Sequence, residues 1–297
     1  LKKKTIRFIV NPFSGVSDKK NIRTQIKESL NHDLFEYEVV MTEAPMHARE
    51  LAMDAVSIGM DIVAAVGGDG TINEIAKPLL YSDTSLAILP GGSGNGFAMH
   101  LGLGRNISKA ISFLNQGKAN SIDTCRLNDL FYINMAGVGF DATVAYHTKE
   151  KSARGFSVYF NQSFREALKY QNKTYKVTID DRVIKEKFLS INVANASMFG
   201  YNFTIAPFAN LQDGVLDLVM IKDAHKIKYI FDVWRFLNKS VHKIPYVDII
   251  KVKKVKIECE EEMHFHIDGE GNVSDGNITF EVVPHSLKLW MPGHHIT

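Results

Sequence analysis

Residues 61–74, Asp-Ile-Val-Ala-Ala-Val-Gly-Gly-Asp-Gly-Thr-Ile-Asn-Glu, constrain this chain more than any other stretch. Ile62 to Val66 are apolar without a break and read as a buried strand. Gly67, Gly68, Asp69, Gly70 and Thr71 follow at once. Then Ile72, Ile75, Ala76 and Leu79 recur at helical spacing. A strand that breaks into glycines and re-forms as a helix aims bare N–H groups and a positive helix end at one point, where an anion is stabilised. Glycine also removes the Cβ that would keep a phosphate off the main chain. Asp69 sits badly in a plain anion site. Its charge repels phosphate unless a metal ion or a reacting proton lies between them. The stretch therefore points to phosphoryl transfer rather than to anion binding alone.

The same grammar recurs around it. Lys4 to Val10 reads as a strand ending in the turn residues Asn11-Pro12-Phe13-Ser14-Gly15, and Ile22, Ile26 and Leu30 mark a helix. Phe35 to Met41 is a second strand, followed by Thr42 and a helix from about Pro45 to Ile58. Ser85 to Pro90 is a fourth strand. It ends in Gly91-Gly92-Ser93-Gly94-Asn95-Gly96, ahead of a short helical segment to Leu101. Strand and helix alternate, which predicts a parallel sheet with helices on both faces. Such sheets bind ligands beyond the carboxyl ends of their strands. All three glycine turns fall at such ends and are expected to converge on one crevice. There is no Gly-x-x-x-x-Gly-Lys-Ser/Thr, no Gly-x-Gly-x-x-Gly at a strand end and no protein-kinase motif set, so the common nucleotide fingerprints are excluded.

Beyond Gly117 the periodicity changes. Strands are expected at Ser121–Leu127, Phe131–Ala136, Tyr175–Ile179, Phe188–Ala194, Leu216–Ile221, Val247–Ile257, Met263–Ile267 and Ile278–Val283, with one helix near Lys226–Leu237. This predicts an antiparallel β-domain. Gly137 to Asp141 reads as a simple reversal. Phe156, Tyr159, Phe160, Phe164 and Leu168 form a helical packing stripe. Asn210-Leu-Gln-Asp213-Gly-Val215 reads, on its residues alone, as an Asp-Gly hairpin. His266-Ile-Asp268-Gly269-Glu270 is either a polar turn or a carboxylate pair fit for acid/base work. His264, His266 and Asp268 share a strand face, which is open to a transition-metal trio but reads more simply as solvated strand residues. Lys251, Lys253, Lys254 and Lys256 read as a solvated edge strand, with contact to anionic lipid headgroups as the sharper alternative.

Bulk properties narrow the class. The net charge of +2 gives no sign of a nucleic-acid partner. Cys125 and Cys259 lie far apart, without metal-type spacing, and are expected to be reduced thiols. No run approaches a membrane span, and the stretch from Leu1 to Arg7 lacks the apolar segment of a signal peptide. The expected location is cytoplasmic, with peripheral contact at the inner membrane face.

Asn-Pro-x-Ser-Gly at 11–15, Gly-Gly-Asp-Gly-Thr-Ile-Asn-Glu at 67–74 and Gly-Ser-Gly-Asn at 92–95 resemble the diacylglycerol kinase catalytic family. The resemblance runs through most of the chain. It implies an NAD kinase/phosphofructokinase-like α/β domain over 1–125, with the tail from about 286 packing back on it, and a lipid-substrate β-sandwich over 126–285. It implies a kinase that moves the γ-phosphate of ATP to a lipid hydroxyl with Mg2+. ATP would be held by Asn11, Ser14, Gly15, Thr42, Gly67, Gly68, Asp69, Gly70, Thr71, Asn73, Glu74, Gly92, Ser93, Gly94 and Asn95. Magnesium would be held by Asp213 with backbone oxygens of Asn210 and Val215. The resemblance gives catalysis to Asp69, Asp268 and Glu270, with the last two unranked as base, and expects the β-domain to present that base across a cleft. A lipid at the membrane surface is the implied partner, touched transiently, and a homodimer is open. Gly96 stands where these bacterial enzymes commonly carry aspartate, and Gly271 where proline is common. The variant turn is similar to that of sphingosine kinases, so a sphingoid base rivals diacylglycerol. NAD kinase, which shares Gly-Gly-Asp-Gly-Thr, is the nearest other enzyme, and a non-catalytic binding module is the alternative of another class.

Overall fold

The computed structural model describes residues 2–15, 21–149, 162, 163, 165–167 and 169–292. The chain divides into two units, residues 1–123 with 285–297, and residues 124–284.

In the first unit β1 (Lys4–Val10), β2 (Phe35–Met41), β3 (Ile62–Gly67) and β4 (Ser85–Pro90) form a parallel sheet in the order β2-β1-β3-β4. Every residue of β3 and β4 is buried, which is why these strands read as unbroken apolar runs rather than alternating ones. The helices are α1 (Ile22–Ser29), α2 (His47–Ser57), α3 (Asp69–Leu79), α4 (Gly96–His100) and α5 (Ile107–Gln116). α2 buries only Ala48, Ala52 and Ala55, whereas α3 buries Ile72, Ile75, Ala76 and Leu79. The Asn106 side chain caps α5 by accepting from the Lys109 amide at 3.1 Å. The chain leaves β1 to one side for β2 and returns on the other for β3. That reversal opens a crevice at the carboxyl ends of β1 and β3. The C-terminal stretch belongs to this unit. Leu289 pairs in parallel with Leu86, the Tyr81 amide donates to the Ser286 carbonyl, and Trp290 Nε1 donates to the Leu114 carbonyl at 3.0 Å.

The second unit is an antiparallel β-sandwich. After β5 (Lys118–Leu127) come β6 (Leu130–Tyr132), β7 (Met135–Gly139) and α6 (Phe140–Lys149). Then follow β8 (Lys173–Ile179), β9 (Arg182–Ala194), the short pair β10 (Met198–Gly200) and β11 (Phe203–Thr204), β12 (Leu216–Lys222) and α7 (Lys226–Leu237). The chain closes with β13 (Val247–Val252), β14 (Lys254–Glu258), β15 (Met263–Ile267), β16 (Glu270–Ser274) and β17 (Asn277–Met291). The long β9 organises the sandwich: its first half pairs with β8 and its second half lies between β7 and β12. Leu216, Leu218 and Met220 of β12 enter one core with Tyr132, Tyr175, Phe188 and Phe280, while Val219 and Ile221 enter a second with Phe236 and Val247.

Four expectations change here. The strand expected over Phe131–Ala136 is the end of β6 and the start of β7, separated at Ile133 and Asn134. The strand expected over Val247–Ile257 is two strands, separated at Lys253. The reversal at Gly137–Asp141 is the end of β7 and the start of α6. The lysine-rich β14 is not an edge, since it pairs with both β8 and β17, and Lys254 and Lys256 lie within reach of Glu281 and Glu258. The aromatic stripe at Phe156, Tyr159, Phe160, Phe164 and Leu168 lies outside the described residues.

Phe188 is fully buried in the larger core. Phe188→Ala should cost about 3–5 kcal/mol of stability, read as a lowered denaturation midpoint at unchanged slope.

Candidate functional site

The three glycine turns of the first unit meet, and they meet through backbone. A Cβ on Gly15, which holds φ +72°, would lie 2.2 Å from the Gly91 carbonyl oxygen. A Cβ on Gly92 would lie 2.4 Å from Gly68 Cα, and one on Gly68 would lie 3.2 Å from Gly92 Cα. No larger residue fits either approach without moving main chain. The Gly91 amide donates to the Gly67 carbonyl at 2.8 Å, and the Asn11 amide to the Val66 carbonyl at 3.0 Å, so the turns extend the sheet's own pattern.

Side chains then lock each turn. Asn11 Nδ2 donates to Thr71 Oγ1 at 3.0 Å while Asn11 Oδ1 accepts from the Phe13 amide. Ser14 Oγ donates to the Asn11 carbonyl. Asn95, in a left-handed conformation with φ +53°, exchanges two 2.8 Å bonds with Gly92. Thr42 is buried and its amide donates to the Val10 carbonyl. Thr71, Ser14 and Asn95 are buried too, so their polar atoms shape the turns from inside. Gly68, Gly70, Ser93 and Gly94 remain half-exposed at the surface of the crevice, and Asn73 and Glu74 are half-exposed on α3. The N-cap residue of α3 is Gly68, which brings no capping side chain of its own, so the helix's positive end is turned to the crevice as bare backbone.

Asp69 is engaged otherwise than the sequence suggested. Its Oδ2 accepts from the Gly96 amide at 3.0 Å and its Oδ1 from the Phe97 amide at 3.1 Å. The carboxylate thus caps α4 from another element, and its charge is matched to two amides and a helix end. A substitution at Asp69 therefore loosens the second and third turns together. Arg105 was not anticipated: its guanidinium donates to the Ser93 carbonyl at 3.3 Å and brings a cation beside the third turn. An arginine shortly after a glycine turn was the only trace of it in the sequence.

In the second unit the two candidate bases separate clearly. Asp268 and Gly269, both at positive φ, are the two-residue turn between β15 and β16. The Asp268 carboxylate accepts from the amides of Ile133, Asn134 and Met135 at 3.2, 2.9 and 3.0 Å, and its own amide donates to the Met135 carbonyl at 2.8 Å. It ties the hairpin to the entry of β7. Glu270 is exposed, and among the described residues its carboxylate has no hydrogen bond or ion pair. The histidines are structural. His266 is buried with Nε2 3.0 Å from Asn192 Oδ1, and His264 stacks on Tyr146 at 4.3 Å. Burial, with His147 and Lys173 nearby, holds the His264 pKa below its usual value. The solvated reading of these residues gives way because the α6 face covers the strand. Among the described residues no three His, Cys, Asp or Glu side chains are placed to hold a metal ion.

Residues 5–127 match the diacylglycerol kinase catalytic domain, and residues 134–291 the YegS C-terminal NAD kinase beta sandwich-like domain. The second match spans more than half of the chain, which belongs to the family that joins this C-terminal domain to a diacylglycerol kinase catalytic domain. The diacylglycerol kinase of Bacillus subtilis (strain 168) is 28% identical over 272 residues, 90% of each chain. A solved diacylglycerol kinase from Bacillus anthracis str. Sterne has the same fold, with a TM-score of 0.74 at 21% identity over the whole of both chains. An NAD kinase from Archaeoglobus fulgidus, solved in complex with ATP, aligns with a TM-score of 0.54 at 15% identity over 98% of this chain and 95% of that one.

The magnesium loop that the family implies does not fit these residues. Lys251 Nζ lies 2.9 Å from Asp213 Oδ2, 2.8 Å from Asp217 Oδ2 and 3.3 Å from the Phe208 carbonyl oxygen. Asp213 Oδ1 accepts from the Val215 amide, and Asn210 Oδ1 from the Gln212 amide. An ammonium already supplies the positive charge among these oxygens. Burial pushes the Asp217 carboxyl up, against the pull of Lys251. Burial opposes the charge on Lys251 as well, but its bonds to Asp217 and Asp213 outweigh it and raise its pKa.

Gly92→Ala should lower nucleotide affinity at least about tenfold and reduce Tm by several degrees, because the turn cannot hold its approach to Gly68. Calorimetric titration with ATP reads the first effect and thermal unfolding the second. Lys251→Ala should cost about 1–3 kcal/mol, less than a fully buried pair would lose, because the lysine keeps 39% of its side chain exposed. Without nucleotide, Tm of the native protein should not respond to millimolar Mg2+ or Ca2+, whereas Lys251→Ala should gain a response that Asp213→Asn removes.

Proposed function

We propose that the protein is an ATP-dependent kinase that phosphorylates the hydroxyl of a lipid, with diacylglycerol as the acceptor class. One observation carries the reading: the N-terminus of α3, with glycine at its N-cap, opens among three turns whose glycines are packed backbone to backbone. Amides of the first turn of α3 and of the Gly92–Asn95 turn would hold the phosphates, and Arg105 would add a cation beside them. Holding the triphosphate this closely supplies orientation, which is most of what phosphoryl transfer asks of a protein. Magnesium carried with the nucleotide would neutralise its phosphates. Asp69 would act by fixing α4 and the turn before it.

The acceptor oxygen needs a proton sink. Of the two expected carboxylates, Asp268 is committed to three amides, while Glu270 is exposed and unengaged among the described residues. We assign the base to Glu270. As the lipid oxygen bonds to the γ-phosphorus, its proton passes to Glu270, the bond to the β-phosphate oxygen breaks, and ADP leaves.

Glu270→Gln should lower kcat about 10²- to 10⁴-fold with ATP affinity and Tm unchanged. Asp268→Ala should instead lower Tm, by the loss of about 2–3 kcal/mol of bonding to the amides of Ile133 to Met135. Labelled ATP offered with diacylglycerol, with a sphingoid base and with NAD reads the acceptor directly. Label on NAD and on no lipid would overturn the assignment.

A further inference from the structure

α7 carries two apolar faces where a surface helix needs one. Its inner face is spent on the sandwich. Phe236 is buried and stacks on Phe203 at 4.7 Å, Tyr229 packs into the smaller core, and Asp232 accepts from the Tyr246 hydroxyl at 2.9 Å. The outer face is apolar and open: Ile227, Ile230, Phe231, Val233, Trp234 and Leu237 are each 48–73% exposed. At 100° per residue these six cover an arc of about 160°, within which the one charged residue is Lys226 at the helix start, its ammonium donating to the Ala167 carbonyl at 3.0 Å. Lys228 and Arg235 lie along one border of the arc. Lys239 and Lys243 follow just beyond the helix end. Lys228, Lys239 and Lys243 have no ion pair among the described residues. The single acid on the helix, Asp232, is turned inward.

A contiguous exposed patch of this size on a folded chain marks an interaction surface. We propose that α7 docks on an anionic lipid bilayer, lying in its interfacial plane. This deepens the lipid-kinase reading and rests on it for the choice of target. The composition fits that occupant: tryptophan and phenylalanine at headgroup depth, with lysines at the rim to meet anionic lipid. Twelve residues extend about 18 Å, too short to span a bilayer and suited to lying along one. A second copy of the chain fits less well. Symmetric pairing through this face would bring the unpaired lysines of both copies together with no facing acid.

The test uses the full chain and flotation with vesicles of phosphatidylglycerol and phosphatidylcholine, against phosphatidylcholine alone. The native protein should float with the anionic vesicles. The variant Ile230→Ser/Phe231→Ser/Trp234→Ser should bind them about a hundredfold more weakly. Lys228→Glu/Lys239→Glu/Lys243→Glu, which leaves the apolar face intact, should lose at least about tenfold at low salt. Both variants should keep the native Tm within a few degrees and the native turnover of diacylglycerol dispersed in non-ionic detergent. Unchanged flotation of both variants would overturn the proposal. So would a native dimer that the serine variant dissociates while neither protein floats. Flotation that the variants lose, in a protein that phosphorylates no lipid, would uphold the docking face and remove the kinase reading alone.

Discussion

Gly68 and Gly92 touch through their backbones, and the first unit's crevice depends on that contact. Two strand-end turns can approach so closely only where neither carries a Cβ, and Gly15 against the Gly91 carbonyl repeats the device on the other side. The consequence is electrostatic as much as steric. Three sets of strand-end main-chain groups are concentrated beside the start of α3, where the N-cap is a glycine. A site built of backbone has little freedom to lose when a ligand arrives, so its geometry is held before binding.

Carboxylates supply the bracing. Asp69 joins the start of α3 to the start of α4, and Asp268 joins a hairpin turn to the entry of β7. In both, a charged acceptor gathers amides that no strand or helix could satisfy, which is where charge-assisted bonds contribute most. Lys251 does the corresponding work with the opposite sign, drawing Asp213, Asp217 and a carbonyl together across the β12–β13 pair. These braces leave Glu270 as the carboxylate of the Asp-Gly-Glu turn that stays available to solvent.

Much of this was legible one stretch at a time. The apolar runs of β1, β3 and β4, each closed by a turn-residue cluster, announce a parallel sheet because strands covered on both faces need no alternation. Boundaries were less legible. α6 begins directly at the end of β7, with no spacer and no polar break to signal it. The split at Lys253 is invisible because β13 and β14 have similar composition and differ only in their partners. His266 reads as a polar residue on an open strand until α6 is laid over it.

The amino-acid order by itself determined the parallel α/β unit, the antiparallel second half and the residue types at every turn, because periodicity and glycine placement act over a few neighbours. What each charged group does was decided only in three dimensions. Asp69 and Asp268 read alike as carboxylates at glycine turns, yet both are consumed by amides from distant segments. Lys251 reads as one of a run of surface lysines, yet it sits where a metal ion was expected. A charge takes its role from whatever comes within about 3 Å of it, and in a folded chain those partners lie tens to hundreds of residues away.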